Sequence, residues 1–266
     1  MSDWRSYDAV AETYERVHAP RLVEPARDLV RAAEIRPGDR VLDAGTGTGV
    51  AAAEAATVTG DPAGVIGVDP SLGMLAVARR VRPEVRTIAA AAIDLPFRDG
   101  SFDAVIGNFV LAHFTEYETA LHDLVRVLRP GGRLALTAWA DGGDELTATW
   151  LELVWSVVPR PVLEAALSDA IPWRDRFRRP EAIAEALGRA GLRQVRVERR
   201  SYRFRYGLDE YVDGLGTWAT GRFVRSMLGE TAWAAFLARA RETFVARFAD
   251  PVLDFRDVLI AAGVKP

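Results

Sequence analysis

Three glycines on alternate positions, Gly45, Gly47 and Gly49, follow the apolar-to-acidic run Val41-Leu42-Asp43-Ala44. Glycine accepts positive φ and close contacts that a Cβ would forbid, so such a loop can bring main-chain N–H groups against a bulky ligand. A dinucleotide fingerprint reads G-x-G-x-x-G, and its third glycine lets the opening helix pack under a pyrophosphate. Val50 stands at that third position here. The spacing fits a cofactor without a pyrophosphate. Twenty residues beyond Gly49, Asp69 closes the run Val65-Ile66-Gly67-Val68, where a carboxylate can accept both hydroxyls of a ribose. Asp69 would serve NAD equally well, so the glycine spacing and not this acid separates the two ligand types. Asp69 also reads as a helix cap, although Ser71 is better placed to cap a helix starting at Leu72. Pro70 and Met74 offer apolar surface to an adenine, and Met74 reads equally as core packing.

Those residues need a scaffold that puts loops at strand ends. Apolar positions Leu22, Val23, Ala26, Leu29, Val30 and Ala33 recur at helical spacing, and Arg36-Pro37-Gly38-Asp39 turns the chain. Strands are predicted over 40–44, 65–69, 85–89, 102–107 and 133–139, and helices over 50–56 and 72–80. A further helix carries Tyr117, Ala120, Leu121, Leu124, Val125 and Leu128 on its buried face, with Thr115 and Glu118 as a capping box. Strand and helix alternating in this way predict a parallel sheet covered on both faces. Beyond Ala140 the spacing predicts helices near 147–158, 162–169 and 180–190, the last closed by Gly191. A long strand is expected over 194–206. Its apolar positions pass from Val195 and Val197 to Tyr202, Phe204 and Tyr206, which predicts a bulge or bend near 199–201. Mainly helical sequence over 208–249 and a last strand over 252–264 complete the chain.

Composition narrows the chemistry. The 266 residues carry 49% hydrophobic and 27% charged side chains, enough for a sizeable core in one elaborated α/β domain. The absence of cysteine removes disulfides, thiolate nucleophiles and Cys-ligated zinc. The three histidines, His18, His113 and His122, form no H-E-x-x-H pattern, so no metal is expected. Lys265 is the only lysine, which excludes a P-loop lysine. A net charge of −3 supplies no overall basic field for nucleic acid or an anionic membrane. Arginines at 174, 176, 178, 179, 193, 196, 199, 200, 203 and 205 form a local cluster, interleaved with Asp175, Glu181 and Glu198; it reads as a solvated strand and loop surface, with an anionic substrate tail or phosphate contacts as other readings. The N-terminus has no basic-then-apolar signal pattern, and no apolar run spans a bilayer. A cytoplasmic protein without membrane insertion is expected.

Four motifs in order, Val41-Leu42-Asp43-Ala44-Gly45-Thr46-Gly47-Thr48-Gly49, Val68-Asp69-Pro70-Ser71-Leu72-Gly73-Met74, Asp94-Leu95-Pro96-Phe97 with Ser101-Phe102-Asp103-Ala104-Val105, and Leu128-Arg129-Pro130-Gly131-Gly132, give a resemblance. The chain resembles class I S-adenosylmethionine-dependent methyltransferases, most closely the small-molecule branch with the quinone-biosynthesis C-methyltransferases. The likeness covers residues 7–139 and returns over 254–264. It implies a doubly wound, mainly parallel seven-stranded α/β sheet of Rossmann-like type with helical insertions. It also implies that Gly45 and Gly47 line the methionine part of S-adenosylmethionine, that Asp43 helps fix its amino group and that Asp69 holds its ribose. Related sequences carry an acidic residue at Ala91 and a polar one at Ile93; here backbone groups of Ala92 and Ile93 must recognise the adenine, with Ile93 packing on the ring.

Asn108 matches the position that faces the sulfonium, though it reads equally as a loop residue satisfying backbone. The continuation Asn108-Phe109-Val110-Leu111 departs from the Asn/Asp-Pro-Pro-aromatic tetrad of amino-methyltransferases. His113 matches a histidine frequent in the quinone branch; it is either a general base for a phenol or enol, or a residue hydrogen-bonded near the next helix start. Trp4, Tyr7 and Tyr14 lie in a segment resembling the family's N-terminal lid, or anchor a terminal helix. The implied layout is one domain: a lid over 1–35, a cofactor core over 36–140, substrate-covering insertions over 141–192 and 207–251, and a last strand over 252–266. Trp150, Trp155, Trp173, Trp218, Phe223, Met227 and Trp233 fall in the insertions and are candidates for an aromatic pocket, about half of them reading equally as core, with Tyr7, Trp218 and Phe223 as substrate contacts. The expected reaction is transfer of the sulfonium methyl to a carbon or oxygen of a quinone, phenol or polyketide-like metabolite, releasing S-adenosylhomocysteine. The other readings are a non-methylating enzyme such as a cyclase on the same scaffold, an adenosyl-ligand binding module, and a nicotinamide oxidoreductase. Monomer and homodimer both remain open.

Overall fold

The computed structural model describes residues 3–266, with side chains from Ser6 onward; the side chain of Trp4, assigned above to the lid, lies outside the described residues. Seven strands, β1 (Val41–Ala44), β2 (Val65–Asp69), β3 (Arg86–Ala89), β4 (Phe102–Gly107), β5 (Leu128–Trp139), β6 (Arg193–Tyr206) and β7 (Val252–Val264), form one sheet in the order β3-β2-β1-β4-β5-β7-β6. β1 to β5 run parallel, and β7 lies antiparallel between β5 and β6. The seven-stranded, mainly parallel α/β expectation is met.

Consecutive residues of β1 are buried on both faces, as a central parallel strand requires. Val41 packs with α2 (Ala19–Ala32) and the alanine-rich α3 (Val50–Thr59) on one face. Leu42 packs with α5 (Tyr117–Val127) and α8 (Pro180–Arg189) on the other. Ser71 caps α4 (Leu72–Val81) by accepting the Met74 N–H at 3.1 Å, as expected. The capping box at Thr115 is not formed. Glu116 is the N-cap of α5 and makes no side-chain cap bond; Thr115 lies two residues before the helix, and its carbonyl accepts Trp173 Nε1–H at 3.3 Å.

The bulge expected near 199–201 is also absent. The register of β6 against β7 is regular from Arg196 to Tyr206, and the irregularity lies between Arg193 and Arg196. Two different faces of one regular strand are buried at different heights. Val195 and Val197 face the α5/α8 side, whereas Tyr202, Phe204 and Tyr206 face a second core with α6 (Glu145–Trp155), α9 (Leu208–Leu215) and α10 (Ala219–Arg247). α7 (Arg160–Ala170) adds Leu163 and Leu167 to that core. α10 breaks at Gly229, whose φ of 71° and ψ of 168° are not helical.

β7 pairs with β5 only from Val258 to Val264 but with β6 from Val252 onward. Residues 201–206 and 252–257 therefore overhang the carboxyl end of β5 as a two-stranded ribbon. That overhang and the helices on it stand over the edge where open α/β sheets bind ligands.

Candidate active site

The glycine loop leaves β1 with φ of 70° at Gly45, 55° at Gly47 and 92° at Gly49, all in the left-handed region. A Cβ on Gly45 would stand 2.3 Å from Val110 Cγ2, so close packing also requires glycine there. Asp69 holds the loop from β2: its Oδ2 accepts Gly47 N–H and its Oδ1 accepts Ser71 N–H, each at 2.8 Å. A carboxylate has about four acceptor positions, so Asp69 keeps capacity for two hydroxyls. Beneath the loop, fully buried Asp43 accepts Thr46 Oγ1–H at 2.7 Å and Ala52 N–H at 3.0 Å through Oδ2, while its Oδ1 has no partner.

Burial raises Asp43 to about 7 and Asp69 to about 6, against hydrogen bonds that pull both down. An orphaned buried carboxylate oxygen beside a second acid is a setting that a cationic amino group satisfies, and the residues fit a ligand with an ammonium and a ribose.

The N-terminal segment is strapped onto this loop. Asp8 Oδ1 accepts Ser71 Oγ–H at 2.6 Å and Gly73 N–H at 2.8 Å. A Cβ on Gly73 would meet Asp8 Cα at 2.6 Å, which explains the glycine. Arg82 Nη1 donates to Glu15 of α1 (Ala11–Val17) at 3.0 Å and to the Thr48 carbonyl at 2.9 Å. Tyr14 lies beside Asp69, and burial pushes its phenol above the ordinary value. Tyr7 packs its ring 3.9 Å under the Arg222 guanidinium and edge-on to His113 at 6.0 Å. Met74 is buried with Ala11, Val77, Tyr7 and Tyr14, which is the packing reading; half-buried Pro70 sits on the turn above it. Ala92 is buried in the α5-side core, and Ile93 is partly exposed. The sequence reading missed Asp8 and Arg82 as straps, because their partners lie more than thirty residues away.

At the end of β4, Asn108 Oδ1 accepts Thr137 Oγ1–H at 2.7 Å, and Thr137 Oγ1 accepts Phe109 N–H at 2.8 Å. Asn108 thus secures its loop. Phe109, at φ 57°, stacks on Trp139 at 4.1 Å, and Trp139 meets Phe204 of the ribbon at 6.4 Å. His113 ends a short 3-10 turn, Leu111–His113, and is half-buried on the same side as Tyr7.

The aromatic pocket expected from the insertions is corrected in part. Trp150 is fully buried and donates Nε1–H to Thr220 at 2.8 Å, and Trp233 stacks on Phe236; both are core. Trp155 lies under Arg160, Trp173 packs on Tyr117 across the sheet, and Met227 is half exposed. Size predicted these side chains as wall, but their helix faces direct them elsewhere. Trp218 remains, 6.4 Å from Tyr211 and 5.5 Å from the Arg256 guanidinium; Phe223 packs on the edge of the same core. His18 bonds Thr217 Oγ1 at 2.8 Å, and burial lowers it to about 4. Among the described residues no helix is long and apolar enough to cross a membrane, and no group of His, Asp and Glu is placed to hold a metal.

A family described as "Methyltransferase domain" matches residues 42–136. A demethylmenaquinone methyltransferase of Mycobacterium marinum is 33% identical over 204 residues, covering 71% of this chain and 84% of that protein. One of Beutenbergia cavernae is 41% identical over 114 residues, 43% of this chain and 46% of that protein; the chain spans about half the length of the first such relatives. Among solved structures, a phosphoethanolamine N-methyltransferase of Haemonchus contortus, in complex with phosphomonomethylethanolamine and S-adenosylhomocysteine, superposes with a TM-score of 0.61 at 20% identity, over 100% of this chain and 61% of that one. The [4+2]-cyclase SpnF gives 0.59 at 18% identity, over 98% and 93%. These two likenesses show a shared fold.

Proposed function

Since this chain belongs to the methyltransferase family that includes the demethylmenaquinone methyltransferases, we propose that it methylates a carbon or oxygen of a small, moderately apolar metabolite of quinone, phenol or polyketide type, using S-adenosylmethionine. The observation that carries this reading is the pair of acids at the glycine loop: Asp43 with an unpartnered oxygen for an amino group, and Asp69 with free acceptor capacity for a ribose. Bound S-adenosylmethionine supplies an activated methyl group on a sulfonium.

Each residue then has a stated task. Gly45 and Gly47 let the main chain approach the methionine part, and Asp43 Oδ1 accepts the amino group. Asp69 accepts the ribose hydroxyls, with Pro70 and the backbone of Ala92 and Ile93 on the adenine side. The N-terminal segment, through Tyr7 and Tyr14, covers the site and excludes water. Asn108 holds the β4 loop toward the reacting centre, and His113 takes a proton from a hydroxyl-bearing acceptor. Alignment of acceptor and donor provides most of the rate because the donor is already activated. Trp218 and Phe223 contribute apolar surface to the acceptor. The helices of 141–192 and 207–251 cover it.

The test is incubation of the purified chain with S-adenosylmethionine and a panel of phenols, quinols and polyketides, followed by mass spectrometry. A product heavier by one methyl, with S-adenosylhomocysteine released in equal amount, supports the proposal. Rearranged product at unchanged mass would favour the cyclase reading, and calorimetric binding of NAD in place of S-adenosylhomocysteine would overturn both.

A further inference from the structure

Three buried polar atoms around the overhanging ribbon have no hydrogen-bond partner: the Tyr211 hydroxyl, Asp254 Oδ1 and Asp144 Oδ2. Tyr211 is 2% exposed and Asp254 3%. They come from α9, from β7 and from the residue that caps α6. Arg256 stands among them. Its Nε is 2.7 Å from Asp254 Oδ1 but its N–H is not aimed there, and its Nη2 is 3.5 Å from Asp144 Oδ2 while donating to Thr147 at 3.0 Å. One guanidinium thus serves two carboxylates, which also lie close enough to couple directly to each other; the Tyr211 hydroxyl beside them has no partner. The charges of Asp254, Arg256 and Asp144 all act on Tyr211, and burial lifts its phenol well above the ordinary value. Unpaired buried groups carry a desolvation cost that a bound hydrogen-bond donor would cancel.

The cluster lies at the end of two rows of rings, one beginning at Tyr14 beside Asp69 and the other at the end of β4. One runs from Tyr14 through His18 at 5.4 Å and Tyr206 at 6.5 Å to Tyr211 at 5.2 Å. The other runs from Phe109 through Trp139 to Phe204, whose cross-strand partner is Asp254. We propose that Tyr211, Asp254 and Asp144 anchor a hydroxyl group of an aromatic acceptor and so determine which acceptors are held. The rings select a flat apolar body, and the carboxylate oxygens select a donor over an ether. This rests on the reading above that Trp218 and the inserted helices face the acceptor.

The test titrates the full chain with 1-naphthol and with 1-methoxynaphthalene, with and without S-adenosylhomocysteine, following tryptophan fluorescence. The expected result is about 10-fold tighter binding of the naphthol, the size of one hydrogen bond to a charged group. Tyr211→Phe and Asp254→Asn should each bring that ratio down to about 3 or less while leaving S-adenosylhomocysteine affinity unchanged. Tyr211→Phe keeps every charge and removes an unpaired hydroxyl, so its Tm should equal or exceed that of the parent, which separates lost recognition from lost folding. Equal binding of the two naphthalenes, binding of neither, or a full ratio retained in both variants overturns the anchor. Naphthol preference without S-adenosylhomocysteine binding would leave the anchor standing and remove the functional reading; methyl transfer without naphthol preference would do the reverse.

Discussion

The cofactor end of the candidate site is made largely of main chain, with three positive-φ glycines, the N–H groups of Gly47 and Ser71, and two acids on neighbouring strands. The end proposed for the acceptor is made of large side chains brought from the β4 loop, the end of β5, the β6/β7 ribbon and the inserted helices. Main chain cannot be varied residue by residue, so an end built from it holds one ligand across many sequences. Side chains can, so the other end is free to change its ligand on the same scaffold.

Four changes can break or sharpen the contrast. The largest effect is expected from His113→Ala, which should lower turnover by about 10²–10⁴-fold if the imidazole is the base, with S-adenosylhomocysteine affinity unchanged by calorimetry; retained turnover would make His113 part of the wall. Next, Gly45→Ala should destabilise the protein by about 2–4 kcal/mol in urea unfolding, from left-handed backbone plus overpacking on Val110. Adding Val110→Ala should recover part of that loss, and a silent Gly45→Ala would show that the loop tolerates a side chain after all. Asp69→Ala should weaken S-adenosylhomocysteine binding by roughly 1–3 kcal/mol, and unchanged affinity would remove Asp69 from the site.

The smallest effect concerns pH. Asp43 at about 7 and Asp69 at about 6 lie above the unfolded value of about 3.9. The folded state keeps these protons longer than the unfolded chain, so their contribution to stability is complete below about pH 4 and is lost as pH rises through 6 and 7. The Tm of the ligand-free protein should drift down between pH 5 and 8. Affinity for S-adenosylhomocysteine should move the other way, because its amino group needs an ionised Asp43. Parallel trends in the two measurements would contradict the role given to that acid.

The cofactor end was legible because its determinants are local. Glycine spacing, an acid at a strand end and Ser71 before a helix each act within a few residues, and the strands through Trp139 fall close to the expected positions along the chain. A local signal can also mislead: Thr115 and Glu118 were read as a capping box, but the helix begins at Tyr117 and its N-cap is Glu116, with no side-chain cap bond. The acceptor end was obscure because composition gives the size of Trp150 or Trp233 but not its direction. Asp144 and Asp254 are more than a hundred residues apart, and only the folded ribbon brings them together. The alternation Leu253-Asp254-Phe255-Arg256 reads the wrong way, since the apolar pair is exposed and Asp254 is buried.

β6 closes one side of the sheet and pairs only with β7, so its far side is a ready template on which a strand from another molecule could grow. Exposed arginines at 193, 196, 199, 200, 203 and 205 line it. A second copy mating there would set guanidinium against guanidinium, which discourages aggregation. Arg199 and Arg200 are paired to Asp257, Asp28 and Glu198, so the repulsion falls on Arg193, Arg196, Arg203 and Arg205, and replacing those four with valines should yield a chain that clumps, by light scattering, where the parent does not.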